Sequence, residues 1–321
     1  MQSRVPFMAA AVAVTLLSGA AAAQPFPSRS VRIVVGFQAG GGTDIAARVI
    51  AQKLSDALGV SFIVDNRPGA AGNIGADIVA KSNADGYTIL MANSTIAIPS
   101  LSAKLPFDVK KDFAPLSNIA LGPSVLIVNP DLPVTDIKGL VALAKARPNT
   151  LIYGSGGVGN VTHLAMELFM SMTGTDMVHV PYKGNAGVMT DLVGGQIQVT
   201  LDNLTPYMAQ VKSGKIRLLA VSPAKRSQAV PDVPTIAEAG VPGYETGAWF
   251  GLVAPAKTPR DIVEKLSAET ARILKLPDVK QKLMEQSAEP VGNTPQQFDA
   301  FIKSEIAKWA KVIKDAKVEL Q

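Results

Sequence analysis

The sequence has 321 residues, 18% of them charged, and a formal net charge of +5. Its lysines and arginines are scattered among aspartates and glutamates with no basic block or aromatic-interleaved patch, which argues against nucleic-acid binding. There is no cysteine and there are only two histidines, which excludes disulfides, thiolate metal sites, a lipidated N-terminal cysteine and the usual zinc cluster.

Residues 1–23 read as a signal peptide. Arg4 supplies a positive start, Phe7 to Leu17 a short apolar stretch and Ala21-Ala22-Ala23 a small-residue cleavage pattern, placing the cut before Gln24. The apolar run is short for a membrane span. The expected product is an exported protein of a bacterial periplasm, with no membrane insertion after cleavage and room for two domains.

From 31 to 250, short β-branched runs alternate with helical segments, the pattern of an α/β fold with mostly parallel sheets. Strands are expected at 31–36, 61–65, 87–92, 116–120, 124–128, 150–153, 177–180, 197–201 and 216–221. Helices are expected at 43–58, 72–82, 135–146, 160–172, 185–193 and 205–213. The end differs, with helices at 259–275, 277–287 and 295–316 and no strands between them. In the last, Phe298, Phe301, Ile302, Ile306, Trp309 and Ile313 recur at helical spacing and read as core. Extended segments at roughly 116–128 and 245–254 bracket the middle of the chain. Two crossing strands make a hinged molecule, with residues 24–122 and 248–321 in lobe 1 and 123–247 in lobe 2.

Two places share one design. Val31 to Val35 breaks into Gly36-Phe37-Gln38-Ala39-Gly40-Gly41-Gly42-Thr43-Asp44 and then a helix; Leu151-Ile152-Tyr153 breaks into Gly154-Ser155-Gly156-Gly157-Val158-Gly159-Asn160 and then a helix. Glycine lets a bound group approach the backbone, and a helix start offers unpaired N–H groups at the positive end of its dipole. Each junction is therefore either an anion site or a tight turn with no ligand. Two junctions in separate lobes favour binding at the carboxyl ends of the strands.

Other chemistries fit poorly. The first loop lacks the lysine of a P-loop. Gly154-x-Gly156-x-x-Gly159 matches a dinucleotide fingerprint, but the next strand ends in Pro181-Tyr182-Lys183-Gly184 instead of an acid for the ribose. Tyr153 stands where a nucleophile elbow around Ser155 needs glycine. No catalytic residue, cofactor or metal is expected. His163 reads as a helix-face residue that reaches the cleft, and His179 as structural. Asn93-Ser94-Thr95, Tyr182-Lys183-Gly184 and Asp202-Asn203 follow strands and either line the cleft or cap the next helix. Asp44 either steadies its own helix start or receives a ligand ammonium.

Several ordered motifs carry a resemblance over the whole mature chain: Gly36-Phe37-x-x-Gly40-Gly41-Gly42-Thr43-Asp44, Asn66-Arg67-Pro68-Gly69-Ala70, Asp85-Gly86-Tyr87-Thr88, Val178 to Gly184, Pro231-Asp232-Val233-Pro234-Thr235 and Trp249-Phe250-Gly251. The sequence resembles the Bug family, the periplasmic binding components of tripartite tricarboxylate transporters. The resemblance implies a type II periplasmic-binding-protein fold and a small carboxylate held by loops of both lobes, whether a mono-, di- or tricarboxylate or an acidic amino acid. The expected partners are the membrane subunits of such a transporter or a sensor kinase. Gly159-Asn160-Val161-Thr162 before His163 and the apolar Ser94-Thr95-Ile96-Ala97-Ile98 depart from the family pattern, so the ligand's identity does not carry over. The Asn66 to Ala70 loop is expected to be structural. Competing readings are a two-component receptor and an NAD(P)-dependent oxidoreductase.

Overall fold

The computed structural model describes residues 25–98, 105–285 and 287–315; the expected signal peptide lies outside them. In chain order the elements are β1 (Val31–Val35), α1 (Gly42–Leu58), β2 (Phe62–Asn66), α2 (Asn73–Ala80), β3 (Thr88–Asn93), β4 (Phe113–Gly122), β5 (Ser124–Val128), α3 (Ile137–Ala146), β6 (Ile152–Ser155) and α4 (Val161–Thr173). They continue with β7 (Val178–Pro181), α5 (Asn185–Val193), β8 (Val199–Asn203), α6 (Met208–Lys212), β9 (Arg217–Val221), β10 (Ala248–Pro255), α7 (Arg260–Ile273), α8 (Pro277–Glu285), β11 (Glu289–Pro290) and α9 (Pro295–Asp315).

Local chemistry explains the elements. Helix α1 buries Ala46, Ala47, Ile50, Ala51 and Leu54, a stripe at helical spacing. It stops at Gly59, whose φ of 70° is cheap for glycine and whose N–H bonds Ser55 O at 3.0 Å. Strand β5 is buried along its whole length, so Ser-Val-Leu-Ile-Val runs without alternation.

Two sheets give two lobes of one design. The first has the order β11-β4-β10-β3-β1-β2 and the second β7-β6-β8-β5-β9. In each, a first strand (β1 or β6) lies between its second and third, and an antiparallel strand arriving from the other lobe (β10 or β5) wedges between third and fourth. As expected, most strands run one way, β1 to β4 in the first sheet and β6 to β9 in the second, and the reversed strands β10, β11 and β5 make both sheets mixed. Each βαβ unit is parallel, but every pairing made by the crossing strands is antiparallel. Hydrophobic periodicity reports burial and carries no information on direction. The expectation of a C-terminal part without strands fails, because the two residues of β11 pair with β4.

Separate apolar clusters pack on the two faces of each sheet, and Phe298, Ile302, Trp309 and Ile313 of α9 belong to one of them, as their spacing predicted. The crossings run side by side. Gly122 is in register with Ala248; Ser222 N–H donates to Ser124 O at 2.8 Å, and Thr246 N–H to Ser222 O at 3.1 Å. A pair of short, tied connections is the structural basis of a hinge. Among the described residues no helix is long and apolar enough to cross a membrane.

Candidate functional site

The order 2-1-3 in both sheets makes the ends of β1 and β3, and of β6 and β8, topological switch points. Their loops meet across the lobes and enclose two connected spaces. The smaller, about 60 Å³, is lined by Phe37, Gly41, Gly42, Thr43, Asn93, Ser94, Thr95, Asn160, Thr162, Gly184, Asp202 and Asn203, all expected from sequence, together with Gln38, Ser124, Asn185 and Phe250 among others. Among the described residues, no lysine or arginine lines it.

Its donors are backbone and neutral side chains. Helix α1 begins at Gly41, which offers no capping side chain, and α5 begins at Gly184, which offers none either. Both helix starts therefore keep their N–H groups and positive dipole ends for whatever enters. The α4 start is different: Asn160 Oδ1 accepts from Thr162 N at 2.7 Å and His163 N at 3.3 Å, so that helix caps itself. The lobe 2 counterpart of α1 at this compartment is thus α5. Asn93 Nδ2 donates to Thr43 Oγ1 at 3.1 Å, fixing that hydroxyl, whereas Ser94 is tied to the crossing strand, accepting from Trp249 N at 2.7 Å. Thr95 is 7% exposed and its Oγ1 is buried without a partner.

Asp202 is fully buried. Its carboxylate accepts from Asn185 Nδ2 and Asn203 N, both at 2.6 Å, and from Tyr207 Oη at 2.8 Å. Burial pushes its pKa up to about 7, and those bonds hold it from rising further.

The larger space, about 860 Å³, is lined by Phe37, Thr95, Gly156, Gly157, Tyr182 and Lys183, which the sequence nominated. It is also lined by residues that were not nominated: Pro68 to Ile74, Ile78, Ile98, Leu105, Pro106 and Val158. The Asn66 to Ala70 loop is thus not purely structural, since Pro68, Gly69 and Ala70 form a wall. Asn66 is a brace: its Nδ2 donates to Asp44 Oδ1 at 3.0 Å and to Phe37 O at 3.1 Å.

Gly40, Asp44, Tyr153, Ser155 and His163 line neither space. Asp44 is buried and accepts from Gly40 N at 3.0 Å and Arg48 Nε at 2.9 Å. Burial alone would raise its pKa, but the bonds from Arg48, Gly40 and Asn66 outweigh it and hold the group below the ordinary value. It holds the loop and is not placed to receive a ligand ammonium. Ser155 is fully buried, its Oγ 2.7 Å from His179 Nε2. Tyr153, His179 and His163 stack in that order, with ring centroids 4.8 and 4.1 Å apart. Tyr153 Oη donates to Glu167 Oε1 at 2.6 Å, and Gly159 N–H donates to His163 Nδ1 at 3.2 Å. This layer supports the second glycine loop from below. Nothing in the sequence signalled it, because its members come from two strands and a helix.

Residues 46–318 match the family described as the tripartite tricarboxylate transporter family receptor. BugT of Bordetella pertussis is 36% identical over 313 residues, covering 97% of this chain and 96% of that protein. A structure of an R. palustris protein with adipate is 44% identical with a TM-score of 0.88, covering 91% of this chain and 98% of that one. MatC from Rhodopseudomonas palustris with bound malate is 31% identical with a TM-score of 0.83, covering 90% and 100%.

Proposed function

The chain belongs to the Bug family of tripartite tricarboxylate transporter receptors, a family of solute-binding proteins and not of enzymes, and on that premise we propose that it captures a small carboxylate between its lobes in the periplasm and delivers it to membrane transporter subunits. Residues 24–122 with 248–321 act as one lobe and 123–247 as the other, closing on the ligand. The ligand's carboxylate occupies the small compartment.

The observation that carries this reading is the convergence of the uncapped starts of α1 and α5 with the partnerless Thr95 hydroxyl. A space with room for a few waters, lined by N–H and O–H donors and helix dipoles, favours a compact anion. The relatives with adipate and with malate both carry carboxylates, which supports the same chemistry here.

A thermal-shift screen tests it. A ligand at a hundred times its dissociation constant adds about 2.7 kcal/mol to stability, a shift of several degrees for a protein of this size. Hits are expected among small carboxylates and not among sugars, nucleotides or inorganic cations. A response confined to NAD(P) would overturn the proposal.

A further inference from the structure

We propose that the ligand is a carboxylate with an apolar body, a hydrocarbon chain of five or more carbons or an aromatic ring, and not a hydroxyl-rich acid of malate or citrate type. This rests on the carboxylate-receptor reading and extends it to the rest of the molecule bound.

The small compartment has room for little more than a carboxylate group. Whatever is attached to that group must continue into the larger chamber, because Phe37, Gln38 and Thr95 line both spaces and form the passage between them. Thr95, which is 7% exposed, and Phe37 thus stand where the head joins the first carbons.

Beyond the passage the walls carry five branched aliphatic side chains. Ile74, Ile78, Ile98 and Leu105 come from one lobe and Val158 from the other. Ile74 and Val158 are 48% and 42% exposed, so two branched apolar side chains face an open space that a ligand body would dry. Burial of apolar surface on both sides of a chain or ring is the favourable term such walls supply.

Besides Thr95, the polar side chains of the chamber are Gln38, Asn73, Asp77, Tyr182 and Lys183. Tyr182 Oη is committed to Asp191 Oδ2 at 2.5 Å, and Asp77 is paired with Lys81. Lys183 is the single cation among the described lining residues and is exposed. It stands where a second, distal carboxylate is tolerated, without requiring one.

Calorimetry on the mature protein with acetate, hexanoate and malate tests the assignment. Hexanoate is expected to bind at least tenfold more tightly than malate, equivalent to about 1.4 kcal/mol. The variant Ile74→Asn changes an exposed residue outside the core; it should weaken hexanoate at least fivefold and leave acetate, which carries only the head, within twofold. Val158→Asn, from the other lobe, should repeat the pattern. Malate binding as well as hexanoate, or an equal loss of acetate and hexanoate in both variants, overturns the apolar-body proposal while leaving the carboxylate receptor standing. Absence of binding by all three acids, together with no carboxylate hit in the thermal-shift screen, overturns both.

Discussion

Gly42, at the start of α1, faces Asn203, at the end of β8 in the other lobe, so closely that a Cβ on residue 42 would stand 2.8 Å from Asn203 Nδ2 and 3.1 Å from Phe250 Cζ. The lobes therefore meet at the helix start that the proposed carboxylate approaches. A methyl group there must displace the Asn203 amide. The expected result for Gly42→Ala is an intact fold and a weaker carboxylate affinity. Scattering at saturating ligand should also show less compaction than in wild type, because closure is what the methyl opposes. Unaltered affinity and compaction would show that this approach has no part in binding.

Thr95→Val removes a hydroxyl that is buried without a partner. Loss of an unsatisfied polar group should leave stability unchanged or slightly improved. A hydrogen bond to a charged ligand is worth about 1.5–3 kcal/mol, so affinity should drop roughly ten- to a hundredfold. Titration calorimetry beside a melting curve separates the two effects, and equal affinity in the variant would remove Thr95 from the site.

Asp202 gives the site a pH dependence. With its pKa raised to about 7 by burial, the folded protein holds a proton that the unfolded chain lacks between about pH 4 and 7. Its contribution to stability therefore falls as pH rises through that window. Ligand binding follows the same sign, since a neutral Asp202 does not repel an anion. Affinity for a fully ionised carboxylate should strengthen from pH 8 to pH 6 in wild type. Asp202→Asn should flatten the profile, and an unchanged slope in that variant would assign the dependence elsewhere.

His179 runs the other way. Burial first, and then the neighbouring His163, hold its pKa down to about 4, against the attraction of Glu167. Its contribution to stability is complete above its ordinary value of 6.5 and is lost as pH falls from there toward 4. With only two histidines in the sequence, nitrogen-detected NMR assigns the titrations readily. The His179 ring should remain neutral at pH 6; a charged ring at that pH would contradict the stacked layer.

Much of this arrangement was legible in the sequence, for particular reasons. The glycine junctions announced themselves because a β-branched run, a glycine cluster and a helical stripe lie consecutively in the chain. Thr43, Asn93, Thr95 and Asp202, nominated from sequence, line the small space because they end or follow strands at the switch points. The chamber was not legible: Ile74, Ile98, Leu105 and Val158 come from separate connections and share no period. The inequality of the two junctions was hidden too. Asn160 follows the second glycine loop much as Thr43 follows the first, and only its rotamer, accepting from Thr162 and His163, shows that α4 is capped by a side chain while α1 is not. The reversal of β5 and β10 was not legible, because burial is identical for parallel and antiparallel neighbours.

The central claim is that the open start of α1 is the seat of the ligand's carboxylate, and Gly41→Asp tests it most directly. Gly41 has φ of −81°, and a Cβ there meets only Gln38 O, at 3.7 Å. Aspartate fits without strain, and as an N-cap it should add a few tenths of a kcal/mol to stability. It also brings its own carboxylate to the N–H groups that the ligand's would occupy. Calorimetric titration of the folded variant with the best carboxylate of the screen should show binding abolished at unchanged or raised melting temperature. Wild-type affinity in that variant would contradict the account.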